Sequence, residues 1–460
     1  MLLRPLFLGG VFFCQNIPSA RRVFFDSVSE TKFRITETNP AEANIRLRGC
    51  KPRGEHERRR ILLIHTFSMK GFTTQALHTY YKPNKEDGAI IPPLHLSTTF
   101  EFGNDGGYYD GSIPRKESEK RNKVRFNNDY KHYDYSRTVN PTRLILEETL
   151  AKLDHNLYGL AYSSGSAVLA NIVALLKQSE MILFSTDAYG GTYRFIVRVA
   201  GNQGILYKIV DLTDLKLTEN ILKHNNIKII WVETPTNPLL KVVDIEKLSN
   251  LAHKYNAILV VDNTFASPII QQPSKWGADI VVYSPTKYIN GHSDVVGGAL
   301  TTSNKDLYPR LKFLQNAIGA ILSPFDSWLT LRGLRTLELR MNRHIDNAEQ
   351  IAHFLNTHKK IKKVYYPGLF KDDQRRIVHK QMVRPGGMIS VEIKEKYDVK
   401  KFLSSLEYFP LAESLGGVES LIDHPASMTH ASIPKEEREK IGLSDGLLRV
   451  SVGIENIEDL

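Results

Sequence analysis

Residues 257–294 read AILVVDNTFASPIIQQPSKWGADIVVYSPTKYINGHSD. This segment contains two short runs of β-branched apolar residues, and polar residues follow each run: Asp262 after the first, and Thr286 and Lys287 after the second. Runs of this composition and length predict buried strands. A lysine just beyond a buried strand is costly to bury without a partner, so we expect its nitrogen to be used chemically.

Outward from this segment, residues 158–302 alternate between strand-like and helical patterns. The strand-like runs are GLAYSS, MILFS, ILYKIV, IKIIWV, AILVV, DIVVYS and GALTT. Helical patterns lie between most of them, beginning with AVLANIVALLK after the first run. Because the strands are almost continuously apolar, the alternation predicts an α/β fold with a parallel or mixed sheet covered by helices on both faces.

The flanking regions differ in character from this centre. Residues 1–68 read as a leader, either a disordered or artefactual extension upstream of Met69 or an organelle-targeting segment of mitochondrial type. Residues 69–137 form an N-terminal arm that carries a charged loop insertion at about 103–132. The central domain then spans 138–338, and residues 339–460 read as a smaller α+β domain that stops where a closing helix would be expected.

Composition excludes several classes of protein. The net charge is +11, but residues 1–68 alone hold twelve Lys/Arg against six Asp/Glu, and the rest of the chain lacks basic stripes interleaved with aromatic residues. We therefore expect no nucleic-acid partner. No run of eighteen apolar residues occurs, so we expect no membrane partner. The two cysteines, Cys14 and Cys50, lie in the leader, and we predict neither a disulfide framework nor a metal site.

Polar residues follow several of the predicted strands. Ser164-Gly165-Ser166 opens the helix after GLAYSS, where free N–H groups and the helix dipole suit a phosphate. Tyr189 follows MILFS, and Glu233 and Asn237 follow IKIIWV. In open α/β sheets ligands bind at the carboxyl ends of the strands. We interpret Lys287 as the Schiff-base lysine of a pyridoxal 5′-phosphate (PLP) enzyme and Asp262 as the partner of the pyridine nitrogen.

Longer motifs strengthen this interpretation. The segments SSGSA, DAYGGTYR, ETPTNP, VVDNTFASP, SPTKYINGHSDVVGG and AESLGGVESLIDHPASMTHAS resemble those of the Cys/Met-metabolism PLP-dependent enzymes. The resemblance covers about residues 69–460. It implies the aspartate-aminotransferase-like fold type I of PLP-dependent transferases, with a mixed, mostly parallel seven-stranded sheet and a smaller α+β C-terminal domain.

The resemblance also implies roles for individual residues. The expected catalytic residues are Lys287, Tyr189 and Asp262. The expected cofactor-binding residues are these three together with Tyr135, Arg137, Gly165, Ser166, Asn237, Ser284 and Thr286. The expected substrate-binding residues are Arg449, Glu413, Ser414, Tyr189 and Arg194. Several positions depart from the family pattern: Ser166 stands where an apolar residue is usual, Ser179-Glu180 where Gly-Asp is usual, and Pro285 where a small residue is usual.

The family contains cystathionine γ-lyases, γ-synthases and β-lyases and methionine γ-lyases. Glu413 argues against a methionine γ-lyase and suits a substrate with a distal amino group such as cystathionine, but it does not separate γ-lyase from γ-synthase. The resemblance favours γ-lyase activity because FLQNAIGAILSPFDSWLTLRGLRTLELR resembles the eukaryotic γ-lyases. The alternatives are a γ-synthase, another lyase of the family, or a PLP-binding scaffold without activity. Because Tyr135 and Arg137 reach a neighbouring subunit in this family, the resemblance implies a dimer of dimers with shared active sites. We expect a cytoplasmic protein, or a mitochondrial one if the leader is a transit peptide.

Overall fold

Two β-sheets organise the part of the chain that the structure, a computed structural model, describes: residues 71–81, 83, 88–100, 133–429, 435–440 and 442–460. The predicted leader (1–68) and the predicted insertion (103–132) lie outside these residues. The first sheet contains strands β1 Tyr158–Tyr162, β2 Met181–Ser185, β3 Leu206–Val210, β4 Ile227–Glu233, β5 Ile258–Asp262, β6 Ile280–Tyr283 and β7 Gly298–Thr302. The second contains β8 Ile361–Tyr365, β9 Met388–Ile393, β10 Leu421–Asp423 and β11 Leu447–Ser451.

The strand order of the first sheet brings its functional ends together. The order is β1-β7-β6-β5-β4-β2-β3, and only β7 runs antiparallel to its neighbours. The strands β4, β5 and β6 are therefore adjacent and parallel, so the residues that follow them emerge at one edge. The second sheet has the order β10-β11-β9-β8 and is antiparallel throughout.

Alternating burial explains why the strands of the first sheet are so continuously apolar. In β5, Val260 packs into one hydrophobic cluster, whereas Leu259 and Val261 pack into another on the opposite face. Helices cover both faces, as the uninterrupted apolar runs predicted. The described helices are α1 Phe72–His78, α2 Pro141–Leu153, α3 Gly165–Val173, α4 Gly190–Arg194, α5 Leu215–His224, α6 Ile245–Lys254, α7 Ser267–Ile270, α8 Leu307–Ile318, α9 Pro324–Leu334, α10 Leu337–Thr357, α11 Asp372–Gln381, α12 Val399–Leu403 and α13 Lys435–Lys440.

The long helix α10 connects the two sheets. Leu337, Met341 and Ile345 in its first half belong to the core beside the first sheet. Ala348 and Ala352 in its second half pack against Ile389 and other residues of the second sheet. Among the described helices, none has the length and hydropathy needed to cross a membrane.

The predicted fold class is confirmed: a mixed, mostly parallel seven-stranded sheet is covered by helices, and a smaller α+β region follows it. The predicted domain boundaries at 138–338 and 339–460 stay predictions. Helix α3 differs in extent from the predicted pattern AVLANIVALLK, since it spans Gly165–Val173. It begins earlier because the Ser164 side chain caps it by accepting a hydrogen bond from the Ala167 N–H.

Candidate active site

A cavity of about 350 Å³ lies at the carboxyl ends of the first sheet's strands. Residues from both sheets line it. Of the predicted site residues, the cavity brings together Gly165, Ser166, Tyr189, Asn237, Asp262, Ser284, Thr286, Lys287, Glu413, Ser414 and Arg449. These residues are spread over more than 280 positions of sequence, and the strand order and the second sheet assemble them at one place.

The start of helix α3 forms one corner of the cavity. The first N–H groups of a helix lack intrahelical acceptors, and the helix dipole adds partial positive charge there. Ser284 lies against this helix start, because a Cβ added to Gly165 would stand 3.4 Å from the Ser284 Cβ. The Ser284 and Thr286 hydroxyls both donate to the Gly297 carbonyl, at 3.3 and 3.2 Å. This corner suits a phosphate group.

Two carboxylates stand side by side at the ends of neighbouring strands. Glu233 ends β4 and Asp262 ends β5, and the two residues are in register. The Glu233 carboxyl accepts the Tyr189 N–H at 2.9 Å and the Thr192 hydroxyl at 3.0 Å, while one Asp262 oxygen accepts the Thr264 N–H at 3.0 Å. Burial, and then the Asp262 charge, raises the pKa of Glu233 to about 8, and burial also raises the pKa of Asp262.

Neither carboxylate forms an ion pair with any residue in the described parts of the chain. A positively charged group placed between or beside them would therefore be strongly favoured, since it would relieve the repulsion and replace lost solvation. A protonated pyridine nitrogen is such a group.

Lys287 extends into the cavity from the turn that follows β6. Its Nζ donates to the Ser414 Oγ at 2.8 Å. Burial, and then the nearby Arg449 charge, lowers the pKa of Lys287 to about 8. A substantial fraction of the amine is therefore neutral near physiological pH, as a nucleophilic lysine requires. Ser414 itself has φ +99°, a backbone conformation that serine rarely adopts.

Pro285 does not disturb this arrangement. It occupies the first position of the turn that carries Lys287, and its carbonyl accepts the Asn290 N–H at 2.9 Å. A proline is tolerated at the first position of a helical turn, because the N–H there has no intrahelical acceptor. The departure from the family pattern is therefore compatible with the position of Lys287.

The second sheet contributes an arginine to the cavity. Arg449, on β11, is buried; its Nη1 donates to the Asn237 Oδ1 at 2.9 Å and its Nη2 to the Ser414 carbonyl at 3.1 Å. The guanidinium also forms an ion pair with Asp423, its register partner on β10. Burial raises the pKa of Asp423 to about 6, although Arg449 acts in the opposite direction.

Three predicted site residues do not line this cavity. Tyr135 and Arg137 are exposed, the Arg137 guanidinium lies 5.6 Å from the centre of the Tyr135 ring, and its Nη1 donates to the Asn316 carbonyl at 2.9 Å. The sequence assigned both residues to the site of a neighbouring subunit, and that assignment stays a prediction. Arg194, expected to bind substrate, is exposed at the end of α4 and is also absent from the cavity lining.

The sequence patterns drew attention to Glu233 as a polar residue after a strand, and it lines the cavity, but they gave it no specific role. They did not single out the other lining residues, which are Leu169, Thr192, Trp231, Pro235, Thr264, Phe265, Val296, Leu415 and Thr429. Asp423 could not have been found, because only the β10–β11 register places it against Arg449.

The sequence of the chain matches a known protein family. The family described as Cys/Met metabolism PLP-dependent enzyme matches residues 73–460. The chain belongs to this family. Its cofactor is pyridoxal 5′-phosphate. The residues of the cavity fit that group: the start of α3 suits its phosphate, Glu233 and Asp262 have no cation partner among the described residues, and Lys287 has a lowered pKa.

Individual relatives of the Cys/Met metabolism PLP-dependent family carry different names. A cystathionine β-lyase of Lactococcus lactis subsp. cremoris (strain MG1363) is 47% identical over 85% of this chain and 97% of that protein. A cystathionine γ-lyase of Dictyostelium discoideum is 47% identical over 84% of this chain and 95% of that protein. The crystal structure of cystathionine γ-synthase from Xanthomonas oryzae pv. oryzae in complex with cystathionine has a TM-score of 0.77 and 40% identity, covering 85% and 96% of the two chains.

Proposed function

We propose that the chain is a cystathionine γ-lyase, which converts L-cystathionine and water to L-cysteine, 2-oxobutanoate and ammonia. The presence of Glu413 in the same cavity as Lys287 and Arg449 supports cystathionine as the substrate, and the resemblance of FLQNAIGAILSPFDSWLTLRGLRTLELR to the eukaryotic γ-lyases supports γ-cleavage. Cystathionine carries an amino acid group at each end. Arg449 would bind the carboxylate next to the reacting carbon, and Glu413 would attract the ammonium group at the far end.

Other residues of the cavity would hold the cofactor. Gly165, Ser166, Ser284 and Thr286 would bind its phosphate, Asn237 its ring oxygen, and Asp262 its pyridine nitrogen. Tyr189 is half exposed and would pack against the ring. When bound, PLP supplies an electron sink that makes the hydrogen on the substrate α-carbon acidic.

The protein's own residues would then move the protons. Lys287 would anchor the cofactor through its amine and would serve as the base at the substrate α-carbon. Its lowered pKa suits proton removal and return near neutral pH. Loss of the γ-sulfur also requires removal of a β-hydrogen, for which Lys287 is again the proposed base. Ser414, whose hydroxyl accepts from Nζ, would hold the amine between transfers.

The β-lyase and γ-synthase activities are the competing proposals, because a β-lyase as similar as the γ-lyase (both 47% identical) and a γ-synthase at 40% identity are among the relatives. Offering L-cystathionine to the purified protein separates them. Cysteine with 2-oxobutanoate supports γ-lyase, whereas homocysteine with pyruvate would replace it by β-lyase. Turnover of an activated homoserine ester with cysteine, without cleavage of cystathionine, would indicate γ-synthase. An inactive PLP-binding scaffold would yield none of these products.

The proposed role of Glu413 has its own test. Glu413→Ala should weaken the use of cystathionine more than the use of cysteine, which has no distal ammonium group. Glu413→Asp, which keeps the charge, is the matched control, and its use of cystathionine should lie between that of the wild type and that of Glu413→Ala. Equal losses of activity on both substrates would show that the carboxylate does not bind the distal ammonium group of cystathionine.

We also propose that the enzyme is a dimer of dimers in the cytoplasm. The exposure of Tyr135 and Arg137 outside their own cavity supports a shared site. Mass measurement in solution tests the assembly, and a monomer would contradict it. Fluorescent fusions with and without residues 1–68 test the location, because a mitochondrial signal that depends on residues 1–68 would overturn the cytoplasmic proposal.

A further inference from the structure

Arg143, in the first turn of α2, is fully buried yet does not line the cavity. Its Nη1 donates to the Ser136 carbonyl at 2.7 Å, and its Nη2 donates to the carbonyls of Arg137 and Thr138 at 3.2 and 3.3 Å. One guanidinium therefore satisfies three successive backbone carbonyls. Its Nε lies 3.4 Å from a carboxylate oxygen of Glu147, one helical turn further on, which compensates the buried charge.

The segment bound by Arg143 is held at every carbonyl. The remaining one, of Tyr135, accepts the N–H groups of Thr138 and Val139 at 2.9 and 3.0 Å. The Asn140 side chain adds a hydrogen bond to the Ser136 hydroxyl at 3.0 Å. The backbone of residues 135–138 thus faces inward and is fixed, while the side chains of Tyr135 and Arg137 project to the surface.

This much internal bonding is costly for a surface turn that does nothing further. Burying a guanidinium carries a large desolvation penalty, which the three carbonyl bonds and the Glu147 charge offset here, although the Nε of Arg143 has no hydrogen-bond partner among the described residues. A methionine would avoid that penalty but would leave the carbonyls of residues 136–138 without these donors. A second guanidinium bonds three backbone carbonyls next to Lys287: Arg340 donates to the carbonyls of Tyr288, Ile289 and Gly333 at 2.7, 3.1 and 2.8 Å.

We propose that Arg143 is a positioning residue that fixes the backbone beneath Tyr135 and Arg137, so that these two side chains complete the cofactor site of a neighbouring subunit. The inference rests on the shared site proposed above. Arg143 itself would touch neither cofactor nor substrate. Its loss should therefore damage the neighbour's site and leave intact the site formed by its own Lys287.

Hybrid dimers test this directly. Subunits with Arg143→Met and subunits with Lys287→Ala are co-expressed with different affinity tags, and assemblies that carry both tags are purified. In a dimer of dimers these assemblies contain hybrid dimers together with paired homodimers, so recovery is expected in a fraction of the lysine sites. The readout is the absorbance band of lysine-bound PLP, titrated with PLP, because only the Arg143→Met subunit can produce it. This readout does not depend on which substrate the enzyme uses.

The Arg143→Met homodimer should bind PLP roughly tenfold or more weakly, since loss of a charged hydrogen-bonding group is expected to cost at least one factor of ten. In each hybrid dimer, the one remaining lysine site receives an intact loop from the Lys287→Ala subunit. This fraction of the band should therefore titrate with wild-type affinity, whereas the lysine sites of Arg143→Met homodimers keep the weakened affinity. The hybrid of Arg137→Ala with Lys287→Ala is the matched control and should recover in the same way.

The outcomes are distinct. Recovery of both hybrids supports the inference. Recovery with Arg137→Ala but not with Arg143→Met would overturn it, because Arg143 would then act within its own subunit. Failure of both would refute the shared site, and the inference with it. If Arg143→Met does not fold, Arg143→Lys replaces it: the ammonium keeps a positive charge, but its donors all sit on one nitrogen and lack the planar fork with which the guanidinium spans three successive carbonyls, so the same weakened affinity and the same recovery are expected.

Discussion

The two sheets each place a buried pair of ionisable residues at the cavity by strand register, but the charges differ. The first pair, Glu233 and Asp262, ends two parallel strands, and both members are acids. The second pair, Asp423 and Arg449, faces across two antiparallel strands, and its members have opposite charge. The first pair has no cation partner within the described residues, whereas the second compensates its own charge.

This difference indicates that the two walls of the cavity, one formed by the first sheet and one by the second, suit ligand groups of opposite charge. Two adjacent buried acids repel one another, so their wall favours an added positive group and holds a proton at Glu233 until one arrives. The oppositely charged pair, Asp423 and Arg449, has a net charge close to zero. Its guanidinium is fixed by Asp423, Asn237 and Ser414, and a substrate carboxylate would meet an oriented donor rather than a free charge.

The largest expected effect comes from making the second pair resemble the first. Arg449→Met leaves Asp423 buried without its cation, which should lower the free energy of unfolding of the PLP-free protein by about 3–5 kcal/mol. Urea denaturation measures this. The double variant Arg449→Met, Asp423→Asn removes the uncompensated charge and should recover most of the loss. A double variant as unstable as the single one would mean that Arg449 stabilises the fold through its other hydrogen bonds.

A second prediction concerns pH and the acid pair. Because the pKa of Glu233 is raised from 4.5 to about 8, the folded state keeps a proton that the unfolded chain releases. The folded state binds more protons in this window, so Glu233 makes stability fall as pH rises, by at most about 1.4 kcal/mol per pH unit. Glu233→Gln should therefore flatten the decline of the PLP-free protein between about pH 5.5 and 7.5, by about 2–3 kcal/mol in total.

Asp154 provides the control for that measurement. It is buried away from the cavity, and burial raises its pKa to about 7. Asp154→Asn should flatten the same decline but leave PLP affinity unchanged, whereas Glu233→Gln should alter both. A Glu233→Gln profile parallel to that of the wild type would show that Glu233 carries no proton beside Asp262.

The comparison also indicates which parts of the site a sequence can predict. Strands β5 and β6, and with them Asp262 and Lys287, are visible in a single stretch because β-branched runs end abruptly in polar residues. The Ser414 contact with Lys287 joins residues 127 positions apart, and no local pattern reveals which atoms meet. The pairing of Asp423 with Arg449 depends on the register of a strand of three residues, whose apolar pattern is too short to predict.

Loop geometry limits the prediction in a different way. Glu233 was recognisable as a strand-end acid, but its bonds to the Tyr189 N–H and the Thr192 hydroxyl require the backbone path at the start of α4. Arg194 differs: its motif predicts a substrate contact, its side chain is exposed and outside the cavity lining of this chain, and the contact stays a prediction.

The smallest expected effect lies at Ser414, where the two walls touch. Ser414→Ala removes the hydroxyl that accepts from the Lys287 Nζ, and a lost hydrogen bond of about 1 kcal/mol should slow the appearance of the lysine-bound PLP band about fivefold. Ser414→Gly removes the same hydroxyl but tolerates φ +99°, so it should slow the band equally while unfolding at a higher urea concentration than the alanine variant. If the two variants differ in rate rather than in stability, the backbone conformation and not the hydroxyl governs the lysine.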